Sequence, residues 1–213
     1  NSIKEIRKVG SVIYGLGTGW SEDDFENPPS ENYTSFIFSI QENGEVKKVY
    51  PQEVLHDILQ LDDLKASYKS IEVDPYGNLV VLCAYTYIDE NDSKIRIMHN
   101  LIHVFDQELN LISEHDFYPE HLSLPWKIRF NTNGELGIMG ARDIGYYRKE
   151  FILLDENYNL IYESSIPGNS ISDFAADGED FIFVGNTYNH NYPGELVNGN
   201  ETDNIVSKIS KYQ

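Results

Sequence analysis

Between residues 70 and 117 the chain alternates short apolar runs with tight polar turns. An extended segment, Ile71-Glu72-Val73-Asp74, meets a turn, Pro75-Tyr76-Gly77-Asn78, and then an apolar run over 79–87. A polar loop at 89–94, a third apolar run ending at 101–105, a turn at 106–110 and the segment Leu111-Ile112-Ser113-Glu114 complete the unit. Four short strands joined by tight turns predict one antiparallel sheet. The same order recurs at 3–8, 11–15, 35–41 and 46–50, where Glu42-Asn43-Gly44-Glu45 is a hairpin signal because Asn-Gly tolerates positive φ. It recurs again at 126–131, 136–140, 151–154 and 160–164, and finally at 172–176, 180–185 and 205–210. The predicted repeats are about 1–50, 70–118, 126–166 and 171–213.

Two alignments carry the repeat. The first turns of the second and third copies, around Gly77 and Gly134, place glycine at the same point, with Asp177-Gly178 close to it in the fourth. The second turns match more closely: Val104-Phe105-Asp106-Gln107-Glu108-Leu109-Asn110-Leu111 stands beside Leu153-Leu154-Asp155-Glu156-Asn157-Tyr158-Asn159-Leu160. This pattern resembles the β-propeller blades of bacterial extracytoplasmic propeller-repeat proteins, in which an Asp/Asn-Gly turn joins the inner strands and an Asp-x-x-x-Asn turn the outer ones. The resemblance implies an all-β fold, a propeller-like array of about four four-stranded antiparallel blades in one domain, and is nearly silent on function. WD dipeptides, kelch glycine pairs, sialidase-type Asp boxes and the NHL-type signature are missing. The fourth copy lacks an outer strand in this reading, so the expectation is a piece of a larger propeller, two chains completing one ring, or fewer blades, with the first favoured. One segment departs from the rhythm: residues 51–69 carry Val54, Leu55, Ile58, Leu59, Leu61 and Leu64 at spacings of three and four, which predicts a short helical insertion starting at Pro51.

Composition narrows the partners. A net charge of −19 opposes nucleic acid and anionic membrane surfaces, and no apolar run reaches the roughly 20 residues that span a bilayer. The lone cysteine, Cys83, lies in an apolar run and is expected to be buried, with no intramolecular disulfide. The chain begins at Asn1 without Met, a basic segment or an apolar leader, which reads as a processed or trimmed start. Bacterial origin and an extracytoplasmic or secreted location are expected from the composition and the resemblance, with the cytoplasm as the alternative.

Candidate chemistry gathers in the second-to-third connections at 18–34, 88–94, 141–149 and 186–204, which are long and uneven where the other turns are short. They hold Trp20, Asp23, Asp24, Arg142, Asp143, Tyr146, Tyr147, Tyr188 and Tyr192. Aromatic planes beside charged edges hold sugar rings or peptides, so these residues are the expected ligand-binding set. Three N-x-S/T triplets, at Asn32, Asn91 and Asn200, lie in the same connections. Glu22-Asp23-Asp24 and Asp89-Glu90-Asn91-Asp92 could offer oxygens to calcium but lack EF-hand spacing, so no cofactor is expected. His99 and His103 are four apart, a spacing read as sharing a face only on a helix, in a stretch read as loop entering strand; zinc is not expected. Gly15-Leu16-Gly17-Thr18-Gly19 precedes no helix, and no nucleophile elbow or P-loop is present. A hydrolase would have to draw on Glu5, Glu72, Asp74 and Asp173 of the inner strands. The expected function is therefore a non-catalytic module for a carbohydrate, peptide or protein partner. The alternatives are a propeller glycoside hydrolase or lyase, and a structural part of a larger assembly with self-association.

Overall fold

The computed structural model describes residues 2–20, 33–59, 64–89, 92–117, 122, 124–141, 149–166, 170–188 and 202–209. They form four antiparallel sheets. The first runs β1 (Ser2–Val9), β2 (Val12–Trp20), β3 (Tyr33–Ile40) and β4 (Val46–Val49), and the helix α1 (Pro51–Leu59) follows it. The second runs β5 (Lys65–Val73), β6 (Leu79–Asp89), β7 (Asp92–Phe105) and β8 (Leu111–Phe117). The third runs β9 (Leu124–Phe130), β10 (Leu136–Ala141), β11 (Lys149–Leu154) and β12 (Leu160–Ser165). Among the described residues the fourth has three strands, β13 (Ser170–Asp177), β14 (Asp180–Tyr188) and β15 (Thr202–Ile209). Each sheet is a simple up-and-down meander, the build of a propeller blade. The chain divides into two compact units, Asn1–Pro119 and Glu120–Gln213, with two sheets in each.

One turn is used five times. At 41–45, 74–78, 106–110, 131–135 and 155–159 the first N–H donates to the fifth carbonyl, and the fourth N–H donates back to the first carbonyl. The fourth residue takes positive φ in every case: Gly44, Gly77 and Gly134, but also Leu109 at 58° and Tyr158 at 63°. A left-handed residue with a Cβ costs roughly 1–2 kcal/mol. Leu109 offsets this by burial, at 3% exposed within the core of the first unit, which is worth about 1.5–3 kcal/mol for a leucine. The leading side chain locks the loop from within. Asp155 Oδ1 accepts from the N–H groups of Asn157 and Asn159, both at 2.8 Å, and Asp74, Asp106 and Asn131 do the same.

A second irregularity also recurs. The first strand of every sheet carries a β-bulge at one register position, with Lys4, Lys69, Trp126 and Ser172 as the extra residues. A bulge turns the following side chains and sharpens the local twist. The bulges bring the repeats into register, so Glu5, Ser70, Lys127 and Asp173 correspond, as do Ile6, Ile71, Ile128 and Phe174. In the first unit Tyr14, Leu16 and Ile37 of the first sheet pack with Tyr68, Ile71, Val81 and Cys83 of the second. The five residues from Leu79 to Cys83 are all fully buried, so both faces of β6 are covered and the run is continuously apolar.

Three expectations change in extent. The helix ends at Leu59 rather than near 69, because Ala66 and Tyr68 are buried while Lys65 and Lys69 are exposed, an alternation that suits a strand. The second repeat accordingly opens at Lys65. The helix seats Leu55 fully and Val54 and Leu59 partly in the core, and Gln52 Nε2 donates to the Ala66 carbonyl at 3.1 Å. Of the loop expected at 88–94, Ile88 and Asp89 belong to β6 and residues 92–94 to β7, with Asp89 paired to Asp92, while residues 90–91 lie outside the described residues. The glycine run at 15–19 lies within β2, where Gly15 pairs with Phe38 and Gly17 with Phe36. A Cβ on Gly15 would clash with the Phe38 ring, and one on Gly17 would meet Phe36 at 2.7 Å.

Two outcomes follow from this architecture. Gly15→Val should lower stability by about 1–3 kcal/mol, read from the urea midpoint, since the Phe38 ring is 8% exposed and has little room to retreat; an unchanged midpoint would contradict the packing. Asp155→Ala should cost about 1 kcal/mol at neutral pH by removing the turn's acceptor. The Asn159 N–H, opposed by slight desolvation, holds the Asp155 carboxyl below its usual range. In Asp106 desolvation opposes ionisation, but hydrogen bonds from Asn110 and Glu108 outweigh it and the carboxyl is again depressed. A depressed carboxyl stabilises fully above its unfolded value of about 3.9 and loses that contribution as pH falls through the folded value. The gap between wild type and Asp155→Ala should therefore narrow below about pH 4; a gap constant down to about pH 2 would refute the role.

Candidate functional site

Each unit has a closed end and a connecting end. In the first unit the tight turns meet: a Cβ on Gly77 would lie 3.8 Å from Val9, Lys47 donates to the Glu108 carbonyl, and Tyr14 Oη donates to the Gln107 carbonyl at 2.9 Å. In the second unit Thr132 N–H donates to the Gly178 carbonyl and Asn131 Nδ2 to the Glu179 carbonyl, both at 2.9 Å. Antiparallel pairing puts the second-to-third connections at the opposite end of each sheet. Turn groups bonded to one another have little left for a ligand.

Of the expected ligand-binding residues, Trp20 ends β2 opposite Tyr33, and Tyr188 ends β14 opposite Thr202, each at the connecting end of its unit. Their side chains lie outside what the structure describes, as do Asp23, Asp24, Arg142, Asp143, Tyr146, Tyr147 and Tyr192. The acidic triplet at 22–24 and residues 90–91 of the other acidic run also fall outside it. Among the described residues no group of three or more His, Cys, Asp or Glu is placed to hold a metal, and no helix is long and apolar enough to cross a membrane.

The described side chains do assemble one aromatic feature there. Tyr85 and Tyr87 stack on each other at 6.3 Å and 22°, and His99 of β7 stacks on both, at 5.2 Å and 12° from Tyr85 and 5.7 Å and 20° from Tyr87. Tyr85 pairs directly with His99 across the β6–β7 ladder, and residues two apart on a strand share a face, so three rings form one ladder. Burial, then the charges of Asp116 and Glu114, pushes the Tyr85 phenol up to about 12. Tyr85 is 7% exposed and belongs to the core of the first unit, with Tyr87 packed against that core, while Tyr87 and His99 are half-buried. Desolvation of the ammonium, then the charge of Lys4, holds Lys69 below the usual lysine range.

This ladder was not foreseen from sequence. His99 and His103 both lie in β7, where residues four apart share a face but stand about 13 Å apart along the strand. The reading of a shared face only on a helix is thereby corrected, and the two rings do different work. His103 is fully buried, with Nε2 3.1 Å from Glu114 Oε2 and its ring edge-on to Tyr68 and Phe105. Cys83 is buried as expected, and burial pushes its thiol well up, out of reach of thiolate chemistry.

The inner-strand carboxylates are engaged in structural bonds. Arg7 Nε donates to Glu72 Oε1 at 2.7 Å and its Nη2 to Glu72 Oε2 at 3.1 Å, a bidentate pair between β1 and β5. Glu5 accepts from Ser70 Oγ at 3.0 Å and the Ile71 N–H at 2.8 Å, and lies 3.9 Å from Arg7. Asp74 caps its own turn, accepting from Tyr76 and Asn78. In the second unit Lys127 and Arg129 lie 3.6 and 3.9 Å from Asp173, which also accepts from the Phe174 N–H.

Comparison with solved structures fits this geometry. The β-propeller domain of the Trilobed protease from Pyrococcus furiosus superposes with a TM-score of 0.56 at 13% identity, over 98% of this chain and 54% of that one. A putative gluconolactonase aligns over 86% of this chain and 55% of its own at 12% identity, with a TM-score of 0.47. The chain thus spans about half the length of these structures. No family model and no curated protein sequence matches it. The fold is that of a β-propeller, with four successive blades in the described residues.

The Arg7–Glu72 pair sets a measurable expectation. Arg7→Met should destabilise by about 2 kcal/mol, because it strips a mostly buried carboxylate of its bidentate partner. A double-mutant cycle with Glu72→Met should return a coupling of at least about 1 kcal/mol; coupling near zero would show that the pair does not latch the two sheets.

Proposed function

We propose that the chain is a non-catalytic binding module that takes a carbohydrate or peptide with a flat apolar face at the connecting ends of its blades. The observation that carries this reading is the Tyr85–Tyr87–His99 ladder, three near-parallel rings at the same end of the first unit as Trp20. The half-buried Tyr87 and His99, backed by the buried Tyr85, suit ligands that offer an apolar face and a hydroxyl or amide edge. The engagement of Glu5, Glu72, Asp74 and Asp173 in structural bonds supports binding over hydrolysis. The asymmetry of the two ends adds to it, since the turn ends are closed by their own hydrogen bonds.

The test is affinity electrophoresis in gels containing neutral or acidic polysaccharides, with an immobilised peptide library run beside it. Retardation by at least one matrix is expected, with at least a tenfold loss of affinity in Tyr87→Ala and in Trp20→Ala and near-parental affinity in Tyr87→Phe. No binding to any matrix or peptide, or unchanged binding by Tyr87→Ala, would overturn the reading. Release of reducing sugar from a bound polysaccharide would replace it with a hydrolytic one.

A further inference from the structure

The repeat register exposes a face that the fold elsewhere buries. On β5, Tyr68 and Ile71 flank the bulge at Lys69 and are 1% and 0% exposed where the second sheet packs on the first. The bulge at Lys4 gives Ile3 and Ile6 the same two places on β1, yet they are 62% and 55% exposed. Val46 on β4 belongs to the same face through the ladder Lys8–Ile13–Ile40–Val46, and it is 54% exposed. An apolar sheet face of this kind, at positions the repeat uses for packing blade on blade, is an interaction surface.

The chain also carries the matching surface. Phe181 and Phe183 of β14 pack on Phe151 of the third sheet, with ring centroids 5.1 Å away in both cases. Alternation along the strand puts Ile182 and Val184 on the opposite face, where Val184 is 42% exposed. Charge points the same way. On the Ile6–Val46 face the ladders place Lys8 and Lys48 and no carboxylate, within a chain of −19. On the Val184 face of the fourth sheet the ladders place Asp173, Asp177 and Asp180 against Lys208, which lies 3.1 and 2.8 Å from Asp177 and Asp180, a net of −2.

We propose that the exposed face of β1–β4 is a docking surface for the fourth sheet of a second copy of this chain, joined head to tail. The apolar patch around Ile3, Ile6 and Val46 covers Ile182 and Val184 of the second copy, and the basic first sheet meets the acidic fourth. Such a contact is heterologous: each copy brings a different surface, so blocking one surface leaves the other competent. This inference goes beyond the ligand-binding reading and stands independently of it.

The experiment is light scattering coupled to size exclusion on the full chain, with circular dichroism to confirm that each variant keeps its β signal. Wild type should elute above the mass of one chain. Ile6→Asp alone and Val184→Asp alone should each fall to the mass of one chain, since both substitutions lie at exposed positions and block one surface. An equimolar mixture of the two variants should restore a species of two chains through the surviving pair of surfaces. A wild type at single-chain mass up to about 0.5 mM would overturn the proposal. So would a mixture that stays at single-chain mass, or self-association retained by Val184→Asp, which would mean that two first sheets meet face to face.

Discussion

A four-stranded sheet that is apolar on both faces has to be covered on both faces, and much of this molecule follows from that requirement. β6 makes the point, since no residue from Leu79 to Cys83 is exposed. Each fully buried aliphatic side chain in such a run contributes on the order of 1.5–3 kcal/mol only while a neighbouring layer excludes water. A blade is therefore not an independent unit of stability. Tyr14, Leu16 and Ile37 exist as a core only because Tyr68, Ile71 and Val81 lie across from them. The glycines of β2 answer the same demand from the other side, opening space for the Phe38 and Phe36 rings to lie against the strand.

Polar residues follow a division of labour between the two ends and the inner edge. At the turn end, carboxylates and amides face inward onto loop N–H groups, as Asp74, Asp106, Asn131 and Asp155 do, so this end is satisfied by itself. Along the first strands, charged side chains reach sideways to the next sheet: Arg7 grips Glu72, and Lys127 and Arg129 approach Asp173. The recurring bulge aims them, because it resets the alternation just before the residues that make these contacts. Among the described residues, the connecting end of the first unit carries the Tyr85–Tyr87–His99 stack, and the proposed binding rests on it.

Turn chemistry and strand rhythm were legible in the sequence because both are short-range. An Asp or Asn that accepts from N–H groups two and four residues ahead, with glycine in the fourth place, needs nothing from the rest of the chain. Leu109 and Tyr158 show the limit of that rule: the match of their flanking residues revealed the turn, whereas the reason Leu109 tolerates positive φ is its burial. Apolar runs likewise announced the strands, and Cys83 was placed in the core by its neighbours alone.

Tertiary structure decided what depends on partners distant in the chain. The end of α1 at Leu59 rests on Ala66 and Tyr68 finding a place beside β6, a pairing that competes with helical periodicity and leaves no local mark. The bulges, too, are invisible in sequence, since the extra residue is Lys in two sheets, Trp126 in the third and Ser172 in the fourth. His99 and His103 were read together from their spacing; cross-strand neighbours sent one into a stack with Tyr85 and the other onto Glu114. The sequence by itself determined how the chain turns, because a turn is closed by atoms four residues apart. Which charges latch, which rings stack and which apolar face stays exposed are settled between residues tens of positions apart, and only the folded chain brings those together.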